Sequence, residues 1–352
     1  MAQRRPLAER RIVILAEGSF GVLESKTAAG YLRYHPHSCV AVLDSTKAGR
    51  DVGDVLGYAH GIPIVATLEE ALPFNPDVLL IGIAPPGGQL PDSWRPLIRQ
   101  AIQNKMDIVS GLHFFFSRDA EFAPLAQAHG VDLWDVRQPP PDLPVATCRA
   151  ATVKARTILT VGSDARVGKK ITALEIAAEA RRRGINAQFI ATGQTGIMIS
   201  GYGICVDAVV ADFIAGAAEC LVVDNADHFD WLVLEGQGSI IHPGYSGVTL
   251  GLLHGAMPDA LILCHQAQLQ HIKRYPQPIP PLRELVRLYE HIAQPVKPTR
   301  VVGISLNCFH LSDAEAQEEI RQAEEATGLP ATDVVKFGAG KLVEAIQETV
   351  DR

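Results

Sequence analysis

Short apolar runs alternate with amphipathic stretches along the chain. A run of about four to eight β-branched and aliphatic residues is typical of a buried strand, whereas apolar residues spaced by three or four positions are typical of a helix. Alternation of the two predicts right-handed strand–helix–strand units and open, parallel α/β sheets. In the first part of the chain, the predicted strands are residues 11–16, 39–44, 63–67, 77–84, 107–113 and 131–136.

A proline-rich segment divides this pattern in two. RQPPPDLPVA carries four prolines between Pro139 and Pro144. Proline fixes φ and removes a backbone donor, so neither a helix nor a central strand continues through the segment. We therefore predict two α/β domains, over residues 1–145 and 146–352. The second has strands at 157–162, 187–192, 231–236, 260–265 and 300–307, and a helix from Asp313 to Thr327 that the capping box Ser312-x-x-Glu315 opens and Gly328 closes.

A glycine motif lies between the first strand of the second domain and the helix that follows it. GSDARVGKKIT, residues 162–172, contains G-x-x-x-x-G-K in the strand–loop–helix setting of a phosphate-binding P-loop. Backbone N–H groups and the helix N-terminus of such a loop surround an anion, and its lysine reaches the phosphates. A tight turn with a chance Gly-Lys pair is the alternative. The predicted phosphate-binding residues are Gly162, Ser163, Asp164, Arg166, Val167, Gly168, Lys169 and Lys170.

The motif departs from the common pattern at Lys170, where a Ser or Thr hydroxyl normally binds Mg²⁺. Thr172 does not replace that hydroxyl, because two residues correspond to a rotation of about 200° around a helix. We therefore expect a phosphate ligand that needs no Mg²⁺-assisted chemistry, and no metal site of the standard kind. Lys170 is expected to act as a second neutralising cation.

A second cluster of polar residues follows an apolar strand. In WLVLEGQGSIIHPGYSG, Glu235 stands at the carboxyl end of the strand, where ligands gather in open α/β sheets. Glu235 and His242 are therefore candidate catalytic residues, and Gln237 and Gly238 belong to the predicted substrate loop. The alternatives are a carboxylate that caps neighbouring N–H groups and a packed histidine.

Two further segments predict substrate contacts. ATGQTGIMISGYGICVDAVVADF follows a strand and is rich in glycine, so we predict a ligand-binding loop, with a functionless surface loop as the alternative. His265, at the end of the strand ALILCH, is a further candidate, whereas His254 on the preceding helix is predicted to be packed. The candidate residues of the loop are Gln194, Thr195, Gly196 and Asp207.

Composition limits the classes of ligand and partner. The chain of 352 residues carries a net charge of −7 and has an isoelectric point near 5.9. Nucleic acid and anionic membranes are therefore not expected partners, and a small-molecule substrate is. The six cysteines form no C-x-x-C pair, and no apolar run approaches the roughly 20 residues of a membrane span. We expect a cytoplasmic protein, and the apolar segment GLHFFF favours a homo-oligomer unless Phe114 to Phe116 are core residues.

Two resemblances accompany these motifs. GSDARVGK and LEGQGSIIHP resemble motifs of dethiobiotin synthetase, a P-loop enzyme that uses ATP, although the synthetase has Thr at the position of Lys170. GIPIVATLEEAL, DVLLIGIAPPGG and MDIVSGLH resemble the CoA-binding Rossmann-like domain of succinyl-CoA synthetase. In that setting Asp44, which ends the second strand, is either a ribose ligand or a solvated acid without a role.

The whole chain more closely resembles a two-domain family, long labelled only as of unknown function, that includes a D-glutamate N-acetyltransferase. The segments that carry this resemblance include IGIAPPGGQLPDSWRPLI, DIVSGLHFFF, VGSDARVGK, FIATGQTGIMISGYGICVDAVVADF and LEGQGSIIHPGYSGVTLGLLHGAMPDALILCHQ. The fold class is then α/β, with a Rossmann-like parallel sheet over residues 1–145 and a P-loop NTPase-like, doubly wound parallel sheet over 146–352. The family P-loop usually carries Cys near Ala165 and Thr near Ile171, and this chain has neither.

This resemblance implies transfer of an acetyl group from acetyl-CoA to the amine of a small acidic amino acid, with D-glutamate as one candidate. Such a transfer needs a base, donors for the developing oxyanion and cations for the substrate carboxylate. Two alternatives stay open: a synthetase that uses Mg-ATP or Mg-GTP, and a regulatory module that binds a nucleotide without turnover. The candidate base is Glu235 or His242. The candidate oxyanion donors are the N–H groups of Gly236 to Gly238, and the candidate cation for the substrate carboxylate is Arg166 or Lys170.

Overall fold

The computed structural model describes residues 5–22 and 24–350. Contacts within the chain divide it into two compact units: Met1–Pro139 with Ile197–Tyr202, and Pro140–Gly196 with Gly203–Arg352. Across the described ranges, no helix combines the length and the apolar character that a membrane span requires.

The first unit is built on a six-stranded sheet. Its order is β3-β2-β1-β4-β5-β6, and the pairings along it are parallel. The reversal of strand order beside β1 is that of a Rossmann-like sheet, and every strand predicted from the sequence is present. The strands are β1 (Ile12–Leu15), β2 (Cys39–Leu43), β3 (Ile64–Val65), β4 (Val78–Ile81), β5 (Asp107–Ser110) and β6 (Leu133–Asp135).

Helices connect these strands, as parallel pairing requires. The strands β1 and β4 are buried along their whole length, which explains why they read as continuous aliphatic runs rather than as an alternating pattern. The helices of this part are α1 (Lys26–Tyr34), α2 (Val52–Leu56), α3 (Leu68–Ala71), α4 (Arg95–Gln103) and α5 (Phe122–His129).

Asp44 has a structural role that the sequence did not reveal. Its side chain is fully buried and accepts hydrogen bonds from the backbone N–H groups of Gly18 and Phe20 and from Thr46. Burial favours the neutral acid, but the hydrogen bonds hold the pKa of Asp44 below its ordinary value. The carboxylate therefore holds the turn after β1 by hydrogen bonds. It is not the solvated acid that was the alternative from the sequence.

The segment GLHFFF contributes to the core of the first unit. Phe116 is fully buried, and Phe114 packs edge-on against it with ring centroids 5.0 Å apart. Core packing therefore accounts for this segment, and the homo-oligomer stays a prediction.

The second unit contains another six-stranded sheet, in the order β12-β11-β10-β7-β9-β8. Its pairings are again parallel. Five strands match the predicted runs, whereas β12 has only two residues and carries no detectable pattern of its own. The strands are β7 (Arg156–Gly162), β8 (Ala187–Ile190), β9 (Trp231–Leu234), β10 (Ala260–Gln266), β11 (Arg300–Asn307) and β12 (Ala331–Thr332).

The helices that follow include α11, which has the predicted ends. Ser312 accepts the Glu315 N–H, the Glu315 side chain accepts the Ser312 N–H, and Gly328 closes the helix with a φ of 72°. The helices along this part of the chain are α6 (Lys169–Arg182), α7 (Gln194–Ser200), α8 (Ile214–Val223), α9 (Ser246–Ala256), α10 (Leu282–Ala293), α11 (Asp313–Thr327) and α12 (Gly340–Val350). The residues of α7 from Ile197 onward belong to the first unit.

The glycine-rich segment after β8 is not the loop that we predicted. After residues 191–193 it forms the helix α7, which begins at Gln194, and a second irregular part starts at Gly201, where φ is 78°. The predicted loop structure was wrong because Gly196 lies inside a helix for a packing reason: a side chain that follows β9 approaches it closely. That side chain belongs to Glu235.

Candidate functional site

The predicted site residues of the second unit gather at the carboxyl edge of its sheet. β7 lies between β10 and β9, and β8 lies beyond β9. In open parallel sheets, ligands bind where the order of the strands reverses, and here that point is the end of β7. The edge carries the P-loop after β7, Thr192 after β8, Glu235 after β9 and His265 near the end of β10.

The P-loop joins β7 to α6 through two glycines that the geometry requires. Gly168 has a φ of 108° and precedes the first residue of α6. A Cβ atom on Gly162 would lie 2.8 Å from the buried side chain of Val167. Ser163 and Asp164 are also buried, whereas Arg166 is exposed. The N-terminus of a 14-residue helix therefore meets a loop of closely approaching backbone, which suits an anion.

Lys169 is folded into its own loop. Its side-chain nitrogen donates to the carbonyl oxygens of Asp164 at 2.7 Å and Ala165 at 3.4 Å. Burial lowers the pKa of Lys169 to about 8, although the charges of Cys264, Asp164 and Glu235 favour the protonated form. An ammonium held by neutral carbonyl groups has room for a stronger acceptor, such as a phosphate oxygen.

The position after Lys169 offers an ammonium group and no hydroxyl. Lys170 is half-buried, and burial lowers its pKa while the charge of Glu235 opposes that change. The Thr172 hydroxyl forms a hydrogen bond of 2.7 Å with Ser305 of β11. The Thr172 hydroxyl therefore bonds to the sheet, and Lys170 adds a second ammonium group beside that of Lys169.

Glu235 is a buried carboxylate at this edge, and its pKa is strongly raised. Its side chain is 6% exposed, and Oε2 accepts the backbone N–H groups of Thr192 and Gly193, both at 3.2 Å. Burial raises the pKa of Glu235 to about 7, against the opposing effects of Lys170 and the two N–H donors. Its carboxylate thus changes protonation state near neutral pH, as a general base does.

Two glycines make room for this carboxylate. A Cβ atom at Gly196 would lie 2.3 Å from Glu235 Oε2, and one at Gly193 would lie 3.4 Å from Oε1 and 2.5 Å from Gln237 Nε2. The glycines of the segment after β8 therefore admit Glu235 and Gln237. This contact joins the predicted substrate loop to the candidate catalytic residue.

A hydrogen-bond network fixes the loop after β9. Thr192 Oγ1 donates to the Glu235 carbonyl at 2.6 Å and accepts from Gln237 Nε2 at 3.2 Å. The Gly236 N–H donates to Thr160 Oγ1 at 2.9 Å, so it is not available as an oxyanion donor. The Gln237 side-chain amide has a second N–H and takes its place as a candidate donor.

His242 is buried beside the P-loop. Its Nε2 lies 3.8 Å from Asp164 Oδ1, and its Nδ1 accepts the Gly244 N–H at 3.1 Å. Tyr245 stacks on the ring with a centroid distance of 4.5 Å, and Tyr275 meets it edge-on at 5.0 Å. Both ring nitrogens thus face protein groups.

The two other histidines considered from the sequence have different partners. His265 Nδ1 forms a hydrogen bond of 2.7 Å with the buried Ser163 hydroxyl, and burial lowers the pKa of His265 to about 4. It is therefore a neutral imidazole next to the P-loop. His254 Nε2 instead bonds to the Ile292 carbonyl at 2.9 Å, which is a packing contact between α9 and α10.

The remaining candidates lie around this centre. Gln194 and Thr195 form the first turn of α7, with Thr195 buried. Asp207 is exposed in the short 3₁₀ turn Val206–Ala208, yet its charge contributes to the raised pKa of Glu235. Gly238 has a φ of 63° and allows close approach of the Tyr245 carbonyl.

Three contributors were missed from the sequence. Thr192 stands at a strand end, where the rule that identified Glu235 also applies. Lys273 donates its backbone N–H to Asp164 Oδ2 at 3.0 Å. Tyr289 of α10 donates its hydroxyl to the Gly162 carbonyl at 2.7 Å and accepts the Ile240 N–H at 3.0 Å. Neither Lys273 nor Tyr289 lies in a local motif, so only the tertiary structure reveals them.

Comparisons with known proteins agree with this architecture. Residues 144–343 match a domain of unknown function (DUF1611_C) described as a P-loop domain, and residues 45–139 match the DUF1611_N Rossmann-like domain. The crystal structure of a DUF1611 family protein from Anabaena variabilis ATCC 29413 superposes with a TM-score of 0.92 at 42% identity, covering 97% of this chain and 100% of that one.

Two similar proteins carry functional names. A D-glutamate N-acetyltransferase of Tritonibacter scottomollicae is 40% identical over 327 residues, 92% of this chain and 95% of that protein. A D-glutamate N-acetyltransferase of a Pseudoalteromonas species is 38% identical over 276 residues, 78% of this chain and 82% of that protein. The chain therefore belongs to the DUF1611 family, in which a Rossmann-like domain precedes a P-loop domain.

Proposed function

We propose that this protein is an N-acetyltransferase that moves the acetyl group of acetyl-CoA to the amine of a small acidic amino acid, with D-glutamate as the first candidate. The names of its two relatives support this assignment. The observation that carries it is Glu235, a buried carboxylate with a pKa of about 7 beside the P-loop and Lys170.

Glu235 serves as the general base. The acceptor reacts as the neutral amine, whose nitrogen becomes positively charged as it attacks the thioester carbon. Glu235 removes one N–H proton during this attack, and a base that titrates near the working pH does so most effectively. The new C–N bond then forms, the C–S bond breaks, and the proton passes from Glu235 to the departing CoA thiolate. His242 is less suited to this role, because its Nδ1 already accepts the Gly244 N–H.

Lys170 orients the acceptor. A substrate carboxylate near Glu235 adds a second negative charge, and Lys170 is a half-buried cation whose charge already reaches Glu235. The Gln237 amide, fixed by Thr192, donates to the developing oxyanion. This arrangement favours acceptors with a side-chain carboxylate over neutral amino acids.

The P-loop holds the phosphates of CoA. Its backbone N–H groups, the N-terminus of α6 and the Lys169 ammonium bind the pyrophosphate as a static anchor. This use needs no hydroxyl at position 170, which fits the Lys found there.

A substrate panel tests the proposal. Purified protein is incubated with acetyl-CoA and with D-glutamate, L-glutamate, D-aspartate or D-alanine, while free thiol and the N-acetylated product are measured. We expect faster thiol release with an acidic amino acid and little with D-alanine. The variant Glu344→Gln, at an exposed position of α12, serves as the matched control for Glu235→Gln. Thiol release that no amino acid accelerates would refute the proposal.

The same preparation distinguishes the alternatives. A synthetase would be stabilised against heat by Mg-ATP or Mg-GTP and not by CoA, since ligand binding to the folded state raises its melting temperature. A regulatory module would bind one of these ligands without turning over any acceptor. We expect stabilisation by CoA together with turnover.

A further inference from the structure

A buried carboxylate already accepts a hydrogen bond from a backbone N–H group of the P-loop. Asp164, whose side chain is 2% exposed, accepts the Ala165 N–H through Oδ1 at 2.6 Å. Its other oxygen accepts the Lys273 N–H at 3.0 Å. Ala165 lies between the two glycines of the motif, and the backbone N–H groups of this stretch are those with which a P-loop binds anions. An internal negative charge therefore lies where an external one is expected.

A second donor stands close to the same carboxylate. The Gly244 N–H donates to His242 Nδ1, so the ring proton of a neutral His242 is on Nε2, the atom that faces Asp164 Oδ1 at 3.8 Å. This distance exceeds that of a hydrogen bond. Tyr245 and Tyr275 pack against the ring and hold it there. His242 thus offers a fixed donor that Asp164 does not use in this arrangement.

An incoming phosphate and the Asp164 carboxylate compete. Both are anions, both are acceptors for the Ala165 N–H, and like charges a few Å apart repel strongly in a buried site. The charges of Lys169 and Lys273 both interact with Asp164, but the hydrogen bonds of the Lys169 ammonium go to the carbonyl oxygens of Asp164 and Ala165. Lys273 contributes its backbone N–H, while its side chain bonds to Gln266. A phosphate that takes the Ala165 N–H therefore displaces the carboxylate from it.

We define the phosphate cradle as the P-loop from Gly162 to Lys169. We propose that Asp164 is an internal anion that blocks this cradle, and that a phosphate ligand displaces its carboxylate from the Ala165 N–H to the His242 Nε2–H. The ligand class rests on the proposed function, in which the P-loop holds the phosphates of CoA. Asp164 then restrains binding, and His242 is a positioning residue that receives the displaced carboxylate. The cradle opens only for a ligand that is anionic enough to drive this exchange.

The direction of one mutational effect tests this inference. Isothermal calorimetry measures the dissociation constants of CoA and of inorganic pyrophosphate for the unmodified protein and for Asp164→Asn, which removes the charge and keeps the shape. We expect the variant to bind both ligands about tenfold more tightly or better, since a repelling charge is gone. Asp227→Asn removes one exposed charge at the opposite edge of the sheet and should leave both constants unchanged. Weaker or equal binding by Asp164→Asn overturns the inference.

A double-mutant cycle tests the part of His242. His242→Phe keeps an aromatic ring against Tyr245 and removes the donor. It should weaken binding in the native background and have no effect in the Asp164→Asn background, because the carboxylate that it receives is absent there. An equal loss in both backgrounds would overturn this role. Asp164→Ala serves as the second variant, with thermal unfolding as the check that each protein is folded.

The outcomes separate this inference from the proposed function. Tighter pyrophosphate binding by Asp164→Asn without any acetyl transfer by the native protein supports the inference and removes the proposed function. Acetyl transfer by the native protein, without tighter pyrophosphate binding by Asp164→Asn, supports the proposed function and overturns the inference. If neither the native protein nor the Asp164 variants bind CoA or pyrophosphate, the inference fails, because removing the carboxylate should have opened the cradle.

Discussion

Glu235 accepts the backbone N–H of Gly193 at 3.2 Å, so the ends of two neighbouring strands share one buried carboxylate. Its position is set by backbone groups, which move less than side chains. The same burial raises the pKa of Glu235 to about 7. Placement and protonation therefore have one structural cause, and both can be tested by substitution.

Replacing the carboxylate should abolish most of the activity. Glu235→Gln keeps the size of the side chain and removes its basicity, so we expect the rate of acetyl transfer to fall by about 10²- to 10⁴-fold. The dissociation constant of CoA should change little, because the P-loop is intact. Steady-state kinetics with acetyl-CoA and D-glutamate, together with calorimetry for CoA, measure the two effects. A variant that retains more than half of the native rate would remove Glu235 from the reaction.

The same carboxylate should make stability depend on pH. The pKa of Glu235 is about 7 in the folded protein, whereas the ordinary pKa of a glutamate side chain, which the unfolded chain adopts, is 4.5. As the pH rises between these values, the unfolded chain ionises Glu235 while the folded protein keeps it neutral, so the folded state loses stability relative to Glu235→Gln. The difference in unfolding free energy should grow by about 2–4 kcal/mol across this interval and then remain constant. Urea unfolding of both proteins at several pH values measures it, and a difference independent of pH would contradict the burial argument.

Adding one methyl group beside Glu235 should displace it. In Gly196→Ala the new Cβ would lie 2.3 Å from Glu235 Oε2, so the carboxylate or α7 must move. We expect a loss of at least about tenfold in turnover and a destabilisation of about 1–3 kcal/mol. Gly247→Ala, in α9 with no neighbouring atom within 4 Å of the added Cβ, is the matched control. Equal behaviour of the two variants would mean that the packing around Glu235 does not matter for turnover.

The two lysines of the P-loop should separate ligand binding from acceptor recognition. Lys169→Ala should weaken CoA binding, because it removes the buried ammonium of the cradle. Lys170→Thr restores the common P-loop residue, yet we expect no Mg-ATP hydrolysis, and a rise in KM for D-glutamate of about tenfold with little change for acetyl-CoA. Kinetics with each substrate varied in turn, and a phosphate-release assay, measure these effects. Strong ATP hydrolysis by Lys170→Thr, or by the native protein, would favour the synthetase alternative.

Much of the fold followed from the sequence because its signals are local. The aliphatic runs of β1 and β4 are buried on both faces, and α11 carries its start and stop signals in the residues Ser312, Glu315 and Gly328. The two-residue strand β12 has no such signal. The helix α7 was missed because Gly196 normally argues against a helix, whereas here it makes room for the side chain of Glu235, which follows β9.

The candidate site, like the fold, has residues that the sequence predicts and partners that it does not. The strand-end rule placed Glu235 and His265 at the ligand edge, since strand ends are visible in a sequence. The partners of these residues were not visible: Ser163 meets His265 across 102 positions, and His242 lies opposite Asp164 only because their loops converge. Such pairs depend on strand order, which a single sequence does not specify.

The dependence of kcat/KM on pH tests the central claim most directly. Acetyl transfer from acetyl-CoA to D-glutamate is followed by thiol release from about pH 6 to about pH 9 for the native protein and for Glu235→Gln. Ionisation of the amine affects both proteins equally, so the ratio of their rates isolates the base. We predict that this ratio rises through an inflection near 7, the pKa of Glu235, and then levels off. A ratio that stays constant across the range would contradict the assignment of Glu235 as the base.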